Sequence, residues 1–297
     1  MKNFNNLMLG INLLLFFLRS AETAASPTDE LIQPNNKSQK HFVLVHGACH
    51  GAWSWYKVIA MLRSSGHNVT ALDLGASGIN PFQAQEIPHL SDYFKPLMLF
   101  MAALPPTQRV ILVAHSFGGF AISKAMETFP EKISVAVFVA ASMPGPLPFL
   151  NISPLIAEAF RRQGPLLDSR YSYDNGLNNT LMFDSKYIAE YMYQLSPVED
   201  LALATTLLRP LYLFSLVDFI KEMILSHKKY GSVDRVYIKA GEDKSWHIKG
   251  LEQVMILINP PKQVIEIAGS DHMVMMSRPR ELFLHLLSIA QTSLIIV

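Results

Sequence analysis

One serine, one aspartate and one histidine have the surroundings and chain order that a hydrolytic triad requires. Ser116 lies in Ala114-His115-Ser116-Phe117-Gly118-Gly119, between the apolar run RVILVA and the helix-patterned FGGFAISKAMETF. A serine at the apex of a strand-to-helix turn is a nucleophile elbow, and so sharp a turn needs small residues beside it. Gly118 meets that need, whereas Ala114 adds a methyl group at a position where the motif has glycine. A hydroxyl attacks efficiently only beside a base that an acid orients, and in this architecture the order is Ser, then Asp or Glu, then His. Asp243 follows the run RVYIK and His272 follows QVIEI. Both therefore fall at carboxyl ends of strands, where open α/β sheets carry their sites.

Asp218, Asp234 and Asp271 compete for the acid, and His50 and His247 for the base. Asp234 precedes its strand, at the wrong end of the sheet, and Asp271 adjoins the histidine and is expected to shape its loop. The tetrahedral intermediate of acyl transfer also needs aligned backbone donors for its oxyanion. The spacing assigns these to the N–H groups of Phe117, after the nucleophile, and Ala48, in the loop after the first strand. Gly47 keeps that loop narrow, and His46 and His50 read as residues that brace it.

The elements that must position these groups alternate along the chain. HFVLV, NVTALDL, RVILVA, ISVAVFVAA, RVYIKAG and QVIEIAG are strand-like apolar runs. WSWYKVIAMLRSSG, the stretch from Leu90 to Ala103, FGGFAISKAMETF and RPRELFLHLLSIAQ have helical spacing between them. This is the pattern of an α/β protein with a doubly wound, mostly parallel sheet, here expected over residues 41–297. Residues 155–234 interrupt the alternation. They are helical in pattern with no convincing strand, so a helical lid is expected at about 143–230.

Composition excludes other chemistries. With 25 Lys and Arg against 24 Asp and Glu, the chain has no basic field with which to bind nucleic acid. Its one cysteine, Cys49, rules out an intrachain disulfide or a cysteine-based zinc site. LMLGINLLLFFL near the amino terminus is too short to span a bilayer and is followed by small residues, which predicts a signal peptide over residues 1–25 and a secreted chain. An uncleaved anchor or a plastid-type leader is the alternative, and a polar linker occupies 26–40. Asn36, Asn68, Asn151 and Asn178 begin glycosylation sequons, with Asn178 in the polar stretch DNGLNNT expected to be the most accessible.

HFVLVHGACHGAWSWYK, AHSFGG, SPVEDLALATTLLRP, RVYIKAGEDK and SDHMVMMSRP together resemble the plant methylesterases and α-hydroxynitrile lyases of the α/β-hydrolase fold. The likeness runs from about His41 to Ala290. It implies that Ser116, Asp243 and His272 are nucleophile, acid and base, that no cofactor is needed, and that the substrates are small methyl esters such as those of salicylate, jasmonate and indole-3-acetate. It implies a substrate pocket that includes Gly47, Leu166 and Met273, and a homodimer as the common assembly. In the lyases a Thr follows the first-loop His and a Lys follows the catalytic His. Gly47 and Met273 stand there, and a thioether carries no charge with which to stabilise departing cyanide, so the resemblance favours the esterase. A receptor that binds a hormone without turning it over is the further alternative. Phe117, where the family has Leu, is expected to put a larger ring beside the acyl site, and Leu166 and Leu167 replace a lid tryptophan that stacks on aromatic acids.

Overall fold

The central apolar runs are buried on both faces. β1 (His41–Val45), β3 (Val110–His115) and β4 (Ile133–Val139) are almost wholly enclosed, as continuous apolar strands of a parallel sheet must be. They pair in parallel with β2 (Asn68–Leu72), β8 (Arg235–Ala240) and β9 (Gln263–Ile267), giving the order β2-β1-β3-β4-β8-β9. The edge strands β2 and β9 are the ones that expose residues. The computed structural model describes residues 39–146, 170–174 and 177–292. The expected signal peptide, Asn36, Asn151, Leu166 and Leu167 lie outside the described residues.

Strand order reverses between β1 and β3. The chain builds outward from β1 to β2, then returns to the other side of β1 for β3 and continues through β4, β8 and β9. The crevice beyond the carboxyl ends of strands at such a reversal is where doubly wound sheets bind ligands. Residues 46–50 leave β1 at this point, and Ser116 leaves β3 beside them.

The helices match the expected runs closely: α1 (Tyr56–Ser64), α2 (Leu90–Ala103), α3 (Gly118–Thr128) and, near the carboxyl end, α7 (Pro279–Thr292). α3 must start within a very small space. A Cβ on Gly118 would lie 2.4 Å from the His46 carbonyl oxygen, and one on Gly119 would lie 1.9 Å from the Ser142 carbonyl oxygen. These tight approaches fall after the nucleophile, and Ala114 is fully buried inside the sheet, paired with Val45 and Phe138.

The lid departs from the helical expectation. It contains an antiparallel sheet of β5 (Arg170–Asp174), β6 (Leu177–Met182) and β7 (Leu211–Tyr212) besides α4 (Val198–Leu207) and α5 (Leu216–Glu222). RYSYD alternates polar with aromatic residues over only five positions and LNNTLM does not alternate, so neither stands out against the helical spacing around them. Asn175-Gly176 between them is the hairpin signal that identifies them. Asn178, in the polar stretch DNGLNNT, belongs to β6, and Asn68 is the exposed first residue of β2.

Polar side chains join the lid to the helices and loops that flank the sheet. Asp200 of α4 is buried, accepts from the Tyr56 hydroxyl at 2.7 Å and pairs with Lys57. Asp218 of α5 accepts from the Leu90 N–H at 2.6 Å and so caps α2. Arg209 donates to the carbonyls of Gly78, Asn80 and Phe82. Gly119→Ala is expected to lower stability by about 1–3 kcal/mol, the range for forcing atoms into a packed interior. Chemical denaturation of the purified variant measures this, and a midpoint equal to the parent's contradicts the close approach.

Candidate active site

The turn after β3 holds Ser116 at φ +51°, a left-handed conformation that non-glycine residues seldom adopt. Its N–H donates to the Val139 carbonyl and its carbonyl accepts from the N–H groups of Ser142 and Gly119, so both neighbouring segments hold the strained residue. The loop after β9 brings His272 to it, with Nε2 3.1 Å from Ser116 Oγ. The loop after β8 brings Asp243, whose Oδ2 lies 2.8 Å from His272 Nδ1. Ser116, Asp243 and His272, expected together from chain order, form one hydrogen-bonded line, and all three are buried. Burial would raise the Asp243 carboxyl, but the facing imidazole and the hydrogen bonds from His272 and Ser245 hold it below the usual carboxylate range.

The competing residues have other tasks. Asp271 accepts from the Met273 and Leu195 N–H groups and the Ser196 hydroxyl, tying the lid to the loop of His272. Burial raises its carboxyl above the ordinary value. Asp234 is paired with Lys262 at the far end of the sheet, and Asp218 caps α2. His247 falls in the first turn of α6 (Trp246–Ile258), and its side chain lies outside the described residues.

The loop after β1 forms the other wall. His46 Nδ1–H donates to the Gly47 carbonyl at 2.8 Å, while its Nε2 accepts from the Leu74 N–H at 3.0 Å. Because a trans peptide is planar, holding the Gly47 carbonyl turns the Ala48 N–H to the opposite side. Among the described residues neither the Ala48 nor the Phe117 N–H donates a hydrogen bond. This peptide abuts the nucleophile: a Cβ on Gly47 would lie 2.9 Å from both Ser116 Cβ and His115 Nδ1. Gly47 therefore narrows the loop as expected, and no side chain fits there in this geometry.

His50 repeats the bracing one turn on. Its Nδ1–H donates to the Ala48 carbonyl at 2.7 Å, its Nε2 accepts from the Tyr193 hydroxyl of the lid at 2.8 Å, and its ring stacks between Trp53 and Tyr193. Burial pushes its pKa down to about 3. His115 donates from Nε2 to the His272 carbonyl at 2.9 Å and is also held far below the usual imidazole range by burial, with His272 and His50 adding repulsion. His46 is lowered by burial as well.

The Phe117 ring follows the nucleophile directly. It is nearly buried in an aromatic cluster with Tyr93, Phe120, Phe214 and Phe219, which joins the elbow to the lid. Met273 is fully buried. Residue types alone did not disclose the roles of Ser245, which bonds to both Asp243 and His272, or of Tyr193, because the contacts with His272 and His50 join residues distant in sequence. Among the described residues no group of three His, Cys, Asp or Glu side chains is placed to hold a metal ion. No helix among them is long and apolar enough to cross a membrane.

A model described as the alpha/beta hydrolase family matches residues 42–285. The chain belongs to the α/β hydrolase family. Methyl jasmonate esterase 1 of Vitis vinifera is 50% identical over 260 residues, covering 86% of this chain and 98% of that protein. Polyneuridine aldehyde esterase of Rauvolfia serpentina is 46% identical over 264 residues, covering 87% and 98%. The crystal structure of tomato methylketone synthase I complexed with 2-tridecanone matches with a TM-score of 0.81 at 56% identity, covering 86% of this chain and 99% of that one.

The three neutral histidines make this α/β hydrolase sensitive to acid. His50 and His115 bind protons in the unfolded chain below about pH 6.5 but in the native state only at much lower pH, and burial shifts His46 in the same direction. Stability is thus full above that value and is lost as pH falls, by about 1.4 kcal/mol per pH unit for each of His50 and His115. The melting temperature is expected to drop steeply between about pH 6.5 and pH 4.5, and less steeply in His50→Gln, where one titrating group is gone. A flat profile across that range contradicts the buried neutral state.

Proposed function

We propose that the chain is a serine methylesterase acting on small methyl esters. The observation that carries this reading is the continuous line Ser116–His272–Asp243 behind a nucleophile at φ +51°. In this mechanism His272 Nε2 takes the Ser116 proton as Oγ attacks the ester carbonyl, and Asp243 holds the imidazolium through Nδ1. The Ala48 and Phe117 N–H groups receive the oxyanion. The intermediate collapses as His272 protonates the departing methoxide, and methanol leaves. Water then enters by the same route, frees the acid and regenerates Ser116. No step needs a cofactor.

The relatives support an apolar, aliphatic acyl group. One is named for methyl jasmonate and another was crystallised with 2-tridecanone, and this chain has Leu166 and Leu167 where a stacking tryptophan would favour a flat aromatic acid. Jasmonate-type methyl esters are therefore the proposed class, ahead of methyl salicylate and methyl indole-3-acetate. Cyanohydrin cleavage is disfavoured, because Gly47 has no room for a hydroxyl-bearing side chain and Met273 offers no charge. The amino-terminal sequence supports a secretory location, with glycans on exposed sequons, and the family supports a homodimer.

Purified protein incubated with a methyl ester panel, with free acid read by mass spectrometry, tests the proposal. Methyl jasmonate is expected to exceed methyl salicylate by about tenfold in kcat/KM. Ser116→Ala is expected to lose on the order of 10⁴-fold or more. Tight ligand binding with no acid released by folded protein contradicts the esterase and favours a receptor.

A further inference from the structure

Ser245 occupies the N-cap of α6, where a serine hydroxyl ordinarily accepts from a backbone N–H of the helix it precedes. Here the side chain makes no capping bond. It is turned instead into the acid–base pair. The Ser245 hydroxyl donates to Asp243 Oδ1 at 2.6 Å, and the Ser245 N–H donates to the same oxygen at 2.8 Å. With its hydrogen committed to a carboxylate, which only accepts, Ser245 Oγ faces His272 Nδ1 at 3.0 Å with a lone pair. Asp243 Oδ2 faces the same nitrogen at 2.8 Å.

We infer that Ser245 is a positioning residue of the triad, whose hydroxyl anchors the outer oxygen of Asp243 and gives His272 Nδ1–H a second acceptor. The inference rests on the esterase reading for its kinetic consequence, but not for its geometry. A single carboxylate oxygen leaves an imidazole free to swing about one hydrogen bond, whereas two acceptors side by side fix both its plane and its tautomer. Only the tautomer with the proton on Nδ1 leaves Nε2 able to take the Ser116 proton. Ser245 is fully buried, so water does not compete for either bond.

The test combines kinetics with nitrogen NMR of histidine-labelled protein, His272 being assigned by comparison with His272→Gln. Ser245→Ala is expected to lower kcat about tenfold with KM nearly unchanged, as loss of an orienting partner does, and Ser245→Thr to restore most of it. In Ser245→Ala, the His272 Nδ1 proton is held by Asp243 alone and is expected to exchange with solvent faster than in the parent, while Ser245→Thr keeps the parent's slow exchange. Exchange in Ser245→Ala equal to the parent's overturns the inference, as does a Ser245→Ala defect confined to KM. The NMR readouts need no turnover, so failure of the esterase reading and failure of this one are told apart.

Discussion

The site depends on one steric constraint, the passage of the chain through the turn at Ser116. Parallel strands at their native spacing leave little room where β3 ends and α3 begins, and the turn fits only because Gly118 and Gly119 present no Cβ to the carbonyls of His46 and Ser142. Ser116 takes the left-handed conformation that this path requires and stands clear of the sheet with its hydroxyl toward His272. The strain is held by hydrogen bonds with the end of β4 and the segment after it and with the first turn of α3, beside the most deeply buried strands of the sheet. Reactivity at the apex is thus supported by packing at the centre.

Around that turn, polar groups removed from water are each given a defined partner. The imidazoles of His46, His50 and His115 are neutral and each donates to a main-chain carbonyl of the site loops, those of Gly47, Ala48 and His272. Neutral donors can be buried at a cost that hydrogen bonding offsets, whereas charged ones next to His272 would oppose the imidazolium that forms during reaction. The carboxylates of Asp200, Asp218 and Asp271 have the complementary task, joining lid segments to the body of the domain. The lid is therefore attached by directional bonds as well as by the aromatic cluster around Phe117.

How much of this was legible in the sequence follows from how local each signal is. The strands of the main sheet are unbroken apolar runs, and the triad follows from chain order combined with strand ends, so both could be read. The bracing roles of His46 and His50 could be anticipated because both lie beside the loop they hold. β5 and β6 are too short to stand out by residue pattern from the helical spacing around them, and the Asn175-Gly176 hairpin signal was the one cue that the expectation of a helical lid passed over. The roles of Ser245 and Tyr193 were illegible for a different cause: Ser245 lies beside Asp243 in sequence, but its contact with His272, like that of Tyr193 with His50, is made only by the completed fold. Ala114, which adds a methyl group where the motif has glycine, is a buried residue of β3, while the close approaches at Gly118 and Gly119 fall two and three residues beyond Ser116.

The central claim is that Ser116 becomes covalently acylated and that His272 makes this possible. Rapid mixing of the protein with an activated aliphatic ester, acid quenching within the first turnover and peptide mass spectrometry tests it directly. The account predicts an acyl mass increment on the peptide containing Ser116, and none in His272→Ala. Product released with no adduct at Ser116, or an adduct on another residue, would contradict it.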